Sequence, residues 1–316
     1  MSVSEINVLV HAIVLIYYPE KFKMDFIKTL VEQFDSVVVV DNGCDPNTSE
    51  SILKYSGTVD GLQYICNGKN IGVPAGYNVG IRKAILGGAT YVTILDQDSV
   101  LPTNYRNTMC QSYDELSLQG KRIGAISPMY SDVNTGQIAK VTLLKCAWFE
   151  RVKGDVDSVS YPEISLPIAS GTMYNVDIFE ENGFFDETFF VDHFETEFNL
   201  RLLAKRFQIF LNPHCVMKHS LGNRTLASII GVPFSPINHS PLRRYYAYRN
   251  KFYLAFRYGL SFPSLVLFEI FASFLDITRI LFLEDQKYEK MTMILKGITG
   301  FIKKDIGELR LKNPNE

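Results

Sequence analysis

From its first strand onward, the chain alternates short apolar runs rich in β-branched residues with segments whose apolar positions recur every three or four residues. "NVLVHAIVLIYY" (7–18) reads as a buried strand, and Pro19 after it suits the first position of a helix. "EKFKMDFIKTLVEQF" spaces Phe22, Phe26 and Leu30 four apart on one helical face. "SVVVVDNG" is a second buried strand running into a turn, "NTSESILKY" a short helix and "LQYIC" a third strand. "PAGYNVGIRKAILGG" reads as a helix and "YVTILDQD" as a fourth strand. This alternation predicts an α/β fold with a doubly wound, mainly parallel sheet and ligands at the carboxyl ends of its strands.

The pattern changes after about residue 225. Arg243, Arg244, Arg249, Lys251 and Arg257 interleave with Tyr245, Tyr246, Tyr248 and Tyr253, and "SFPSLVLFEIFASFLDITRILFLE" (261–284) follows. On a helix Glu269, Ser273 and Asp276 fall on one narrow stripe and nearly everything else is apolar. Charges break the run too often for a transmembrane span. The segment reads as helices packed on the core or lying in a membrane interface.

Composition narrows the function classes. With 316 residues, 47% hydrophobic and 21% charged, the chain can build a sizeable core. A net charge of −2 argues against a dedicated nucleic-acid binder. Five scattered cysteines without a CxxC pair suit reduced thiols in the cytoplasm. The early apolar run follows Glu5 rather than a basic segment and is too short to span a bilayer. The turn "YYPEKF" lacks a dinucleotide glycine fingerprint, and "NGKN" lacks the remainder of a phosphate loop.

Asp96 and Asp98, in "ILDQDS", are two apart in an extended chain and so point the same way. They suit a hard divalent cation completed by a diphosphate, or equally a strand-ending turn. Cys215 and His219 are too few to make a zinc site. In "DHFETEFNLR" Asp192 and Glu195 have capping-box spacing. Glu195 and Glu197 cannot share a helical face, and Glu197 has Arg201 four residues on as an exposed ion-pair partner. Glu195 is therefore the freer of the two to face a cleft.

Four stretches in order, "VVDNG" (39–43), "NGKNIGVPAGYNVGI" (67–81), "ILDQDS" (94–99) and "GFFDETFFVDHFETEFNLRLLAKRF" (183–207), resemble the inverting GT-A glycosyltransferases of family 2. Among these they look most like the bacterial rhamnosyltransferases of polysaccharide (O-antigen or capsule) assembly. "VMKHSLG" (216–222) and "RRYYAYRN" (243–250) extend the likeness, which covers roughly residues 8–255. It implies a GT-A catalytic domain over 1–225, with a donor half at about 1–100 and an acceptor half at about 101–225. A C-terminal helical region at 226–316 would follow.

The resemblance also implies roles. Asp41 would contact the nucleobase or ribose, with Asn42 and Gly43 shaping the turn. Asn70, Gly72 and Asn78 would lie along the nucleotide, although "NIGVP" also suits a plain helix entry. Asp96, Asp98 and His219 would hold Mg²⁺ or Mn²⁺ against the donor diphosphate, and Glu195 would be the catalytic base. Glu stands at 195 where relatives often carry Asp, and Phe194 where an acid often precedes it. Ser170, Gly171 and Asp192 fall on the acceptor side. Trp148 suits either acceptor stacking or a place in the core or a loop. Arg243 and Arg249 suit an acceptor diphosphate or anionic headgroups, or a solvated helix face. The implied donor is dTDP-L-rhamnose, with UDP-galactofuranose as runner-up, and the acceptor a lipid-linked glycan or oligosaccharide. A catalytically silent, sugar-nucleotide-binding subunit is the rival from another class. The expected setting is the cytoplasmic face of an anionic membrane, peripherally bound, with a homo-oligomer also compatible.

Overall fold

The computed structural model describes residues 8–18, 24–155, 157, 160–219, 228–229, 232–233, 236 and 238–309. Pro19 and Phe22, the last three residues of "VMKHSLG" and the boundary near 225 lie outside them. The first half runs β1 (Val10–Ile16), α1 (Met24–Val31), β2 (Ser36–Asp41), α2 (Pro46–Ser56), β3 (Leu62–Cys66), α3 (Val73–Leu86), β4 (Tyr91–Asp96) and α4 (Tyr105–Leu118). Then come β5 (Ile123–Asp132), the hairpin β6 (Val141–Leu144) and β7 (Phe149–Val152), β8 (Glu163–Ile164), β9 (Met173–Asn175) and α5 (Asp177–Asn182). The chain continues through α6 (Phe194–Ala204) and β10 (Gln208–His219) to α7 (Pro241–Tyr258), α8 (Pro263–Leu283) and α9 (Lys287–Ile302).

Eight strands form one sheet in the order β3-β2-β1-β4-β9-β5-β10-β8. Strands β3, β2, β1 and β4 are parallel, as are β5 and β10, while the three-residue β9 runs antiparallel between β4 and β5. The predicted alternation of β1–β4 with helices is present. Side chains of β1 and β2 feed two cores in turn: Ile13, Leu15, Val38 and Val40 on one face, Val10, Ala12, Val14, Val37 and Val39 on the other. That is why these strands read as unbroken apolar runs. Helix α3 covers the first face at close range, because Gly76 and Gly80 leave no side chain between it and Leu15 and Ile13. Helix α4 covers the second through Tyr105, Met109, Tyr113 and Leu116. Strand order reverses between β1 and β4, which opens a crevice at their carboxyl ends.

The C-terminal helices pack on one another around buried ion pairs. Arg244 meets Asp276 at 2.6 Å and Glu284 at 3.0 Å, and Lys290 meets Glu284 at 2.9 Å. Helix α8 is inside out. Its polar stripe faces the protein, with Glu269 and Asp276 buried and Ser273 bonded to Lys251. Leu267, Ile270, Phe271, Phe274, Leu281 and Phe282 face outward and are about half exposed or more. Among the described residues no helix is long and apolar enough to cross a membrane.

Candidate active site

Strand β4 delivers its two aspartates to the crevice. Asp96 accepts a 2.7 Å bond from the hydroxyl of Tyr77, which is wholly buried, so its carboxylate is aimed by the core. Strand β10 brings His219 to the same point. Asp96, Asp98 and His219 each offer a ligand atom within 4.8 Å of the others. The Nδ1 of His219 lies 3.1 Å from Ser99 Oγ, which is 2.6 Å from Ser170 Oγ, which accepts the Asp96 amide at 3.0 Å. This hydroxyl chain fixes the imidazole and leaves Nε2, 3.9 Å from Asp96, free for a ligand bond. Two hard oxygens and one imidazole nitrogen fit Mg²⁺ or Mn²⁺. Burial raises the Asp98 carboxyl, with His219 pulling it back down. Cys215 is buried, its thiol pushed up to about 12 by burial, and takes no part.

The segment before α6 carries the second half of the site. Phe190, Asp192 and His193 all have positive φ, at 62°, 58° and 64°, a costly conformation for residues with side chains. The loop is held from outside. Arg249 donates to the Thr188 and Phe189 carbonyls, and the Asn250 amide to those of Phe189, Val191 and Asp192. From α3, the Val73 amide donates to Phe190 O at 2.7 Å. Gly72 is pressed so closely there that a Cβ would meet Phe190 O at 2.9 Å.

The capping box expected of Asp192 and Glu195 does not form. Its N-cap position is occupied by His193 without a side-chain cap. Asp192 instead grips Arg243, 51 residues on, at 2.7–3.0 Å. Burial works against ionisation of Asp192, but Arg243 outweighs it and holds the carboxyl at about 2. Glu197 pairs with Arg201 as expected, at 2.9 Å, yet the pair is not exposed: Glu197 is buried and also meets Arg257 and Tyr258. Glu195 turns the other way. Its Oε2 has no hydrogen-bond partner, and burial, with Asp192 and Asp96 nearby, pushes its carboxyl up to about 7.

One cleft of about 510 Å³ gathers Asp96, Asp98, His219, Ser170, Asp192, Glu195 and Arg243. Tyr17, Gln97 and His239 line it too and were not singled out from the sequence. Burial, then Arg243, lowers the His239 imidazole to about 4, so it is neutral near pH 7. The other expected site residues do not line this cleft. Asp41 is fully buried, and its four acceptor positions are taken by the Gly43 and Cys44 amides and the Ser49 and Tyr64 hydroxyls. Asn42 and Asn70 bond each other and brace the loop to Gly72, while Gly43 packs on the Asn70 backbone. Asn78 ties α3 to Phe185 and Glu187. Gly171 is packed against Met217 and Pro128. Trp148 is 58% exposed on the β6–β7 hairpin, outside the cleft. Arg249 is fully buried on carbonyls and cannot reach an anion from solvent.

Known proteins place this geometry in context. The chain is 29% identical over 303 residues to the dTDP-rhamnosyl transferase RfbF of Shigella flexneri, covering 93% of this chain and 98% of that one. It is 25% identical over 234 residues to the galactofuranosyltransferase GlfT1 of Mycolicibacterium smegmatis, covering 72% and 75%. In fold it is similar to GalNAc-T7, solved with UDP, GalNAc and Mn²⁺, at 13% identity and a TM-score of 0.57 over 78% of this chain and 47% of that one. It is also similar to S. aureus TarS 1-349 in complex with UDP-GlcNAc, at 15% identity and a TM-score of 0.50 over 92% and 72%. These likenesses show the GT-A glycosyltransferase fold. The family model described as glycosyl transferase family 2 matches residues 13–183, more than half of the sequence, and the chain belongs to that family.

Proposed function

We propose that the protein transfers L-rhamnose from dTDP-L-rhamnose to a hydroxyl of a lipid-linked surface glycan, with inversion. One observation carries the reading: a carboxylate–carboxylate–imidazole group and an unpartnered carboxylate raised to about 7 face one cleft. It lies at the switch point of a parallel sheet. Extended likeness to a dTDP-rhamnosyl transferase supports the sugar. UDP-galactofuranose is the second donor to test, on the likeness to GlfT1.

Asp96, Asp98 and His219 would hold the divalent cation, which when bound offsets the charge of the leaving diphosphate. Glu195 accepts the proton of the acceptor hydroxyl as that oxygen attacks the anomeric carbon. A base near 7 is half ionised at neutral pH and still basic enough to act. Arg243, clamped on Asp192, keeps a fixed positive charge on the cleft wall. The inside-out face of α8 rests on a lipid surface, which covers apolar side chains that nothing in the described chain covers. This face, rather than the Arg/Tyr cluster, makes the contact, because Arg244, Arg249, Tyr245, Tyr246 and Tyr248 are buried.

A screen of nucleotide sugars by calorimetry with Mn²⁺ or Mg²⁺, followed by slow donor hydrolysis, tests the assignment. dTDP-L-rhamnose should bind most tightly and be hydrolysed, and Asp98→Ala should abolish the metal-dependent part of binding. Preference for another sugar would overturn the donor, unchanged metal dependence in Asp98→Ala the cation site, and binding without any turnover the enzyme reading.

A further inference from the structure

A second cavity, of about 550 Å³, lies on the other side of Glu195. The two cavities share Asp192, Glu195 and His239 as a common wall. None of Asp96, Asp98 and His219 lines the second one. Its apolar side is an aromatic trio, with Phe149 from β7 set 5.3 Å from Phe268 and 6.1 Å from Phe271 of α8. Its polar side includes Lys251, Thr196 and Asp276. The size is that of a site for a small organic ligand, and the buried, unpartnered Oε2 of Glu195 stands in the dividing wall.

We propose that this second cavity is the acceptor subsite and that it takes an amphipathic acceptor. The glycan hydroxyl would sit at Glu195, and an apolar anchor would leave over Phe271. This rests on the glycosyl-transfer reading above. Inverting displacement requires the attacking oxygen and the departing diphosphate on opposite sides of the anomeric carbon. The C–O bond to the diphosphate breaks with its electron pair, the new C–O bond forms, and the hydroxyl proton passes to Glu195. The diphosphate belongs with Asp96 and Asp98 in the first cavity, so the acceptor enters from the second. Its anchor follows from continuity. Phe271 lines the cavity and is also 51% exposed on the outward stripe of α8. From Leu267 to Phe282 that stripe runs about 22 Å, at roughly 1.5 Å per residue. A helix that hides its polar stripe and shows its apolar one offers a path for an alkyl chain, not for a charged one.

The test uses dodecyl glycosides of the common hexoses and the matching methyl glycosides, below micelle-forming concentration. Binding is read by calorimetry and by the fluorescence of Trp148, the only tryptophan, which adjoins Phe149. At least one dodecyl glycoside should bind ten-fold or more tighter than its methyl partner, since burying two methylenes already gives about that factor. Ala272→Phe, which fills the cavity from α8, should weaken that binding ten-fold or more while leaving dTDP-L-rhamnose affinity unchanged. Ala272→Leu serves if the larger side chain prevents folding. Absence of saturable dodecyl binding, equal affinity for dodecyl and methyl forms, or full binding in both Ala272 variants would overturn the proposal. Loss of dTDP-L-rhamnose binding in the unaltered protein, with the glycoside results as expected, would instead remove the donor assignment and leave the cavity standing.

Discussion

Asn250→Ala should disable the enzyme without unfolding it. In the folded protein the Asn250 amide is shared among three carbonyls, at 3.0, 2.7 and 2.9 Å. At about 0.5–1.5 kcal/mol net for each bond, removing it costs roughly 2–4 kcal/mol. Those bonds restrain three residues with positive φ, whose conformation stores about 1–2 kcal/mol each, or roughly 3–6 kcal/mol together. The two quantities are comparable, so the loop in the variant relaxes and returns its strain. Even the smaller strain figure offsets the lost bonds to within about 1 kcal/mol, so the melting temperature moves by only about a degree or two. Glu195 lies two residues after His193, the last of the three positive-φ residues, so relaxation moves it. A displacement of about 1 Å can cost a hundred-fold in rate. Thermal melting, donor calorimetry and transfer rate at saturating donor check the expectation: small thermal shift, near-normal donor affinity, kcat down by about a hundred-fold or more. Near-normal kcat with a melting temperature lowered by about 5 °C, the full loss of the three bonds in a chain of this length, would refute the reasoning, because the loop would then keep its shape and Asn250 would be ordinary packing.

Glu195→Gln should lower turnover by about a hundred- to ten-thousand-fold with donor affinity intact, whereas Glu197→Gln should chiefly reduce thermal stability. Reversal of that pattern in paired kinetic and melting measurements would move the base to Glu197. For the unaltered enzyme, kcat/KM should rise with pH through about 7 and level off above it, a limb that Glu195→Gln lacks; a flat profile would count against Glu195. Folding holds the Glu195 proton more tightly than the unfolded chain does, so this group lowers stability as pH rises from the ordinary carboxylate range through about 7. Glu195→Gln should therefore raise the melting temperature more at pH 8 than at pH 4, as scanning calorimetry would show. In vesicle flotation, recovery should depend little on anionic lipid, because the exposed Lys287, Lys296, Lys303 and Lys304 are matched by Asp285, Glu289, Asp305 and Glu308. Phe274→Asp should reduce recovery, and unchanged recovery in that variant would remove α8 from the contact.

The fold and the Asp96–Asp98 pair were legible in sequence because both are local, whereas His219, 121 residues on, came only from the family resemblance. Unbroken apolar runs, buried on both faces, marked β1, β2 and β4, and two aspartates in one extended segment pointed the same way. The opposed directions of Glu195 and Glu197 followed from helical geometry alone. What could not be read locally came from distant chain. Asp192 looked like a helix cap because spacing says nothing of Arg243, which claims it from α7. The arginines of α7 suited an anion or a solvated helix face, yet the carbonyls of Thr188 and Phe189 draw Arg249 inward and Asp276 of α8 draws in Arg244. The inward bonds of Asp41 could not be read from its turn, because Ser49 and Tyr64, which complete its shell, lie 8 and 23 residues away. The aromatic wall of the second cavity joins β7 to α8, more than 110 residues apart in sequence, and no local pattern announces it.

The clasp on the loop before α6 has a bearing on how the protein is made. A ribosome emits residues 188–195 some 50 residues before it emits Arg249 and Asn250. The Gly307 amide, which also donates to Thr188 O, comes later still. Until then the sheet can assemble and the aspartates of β4 can take their places, while the left-handed turns before Glu195 have the Val73 amide on Phe190 O but not the three carbonyl bonds of Asn250. The nascent chain would thus form the β1–β4 crevice early and fix Glu195 last. If Glu195 is the base as proposed, half-made molecules would not turn over nucleotide sugar, and a deletion within the last three helices would act as an active-site lesion from afar.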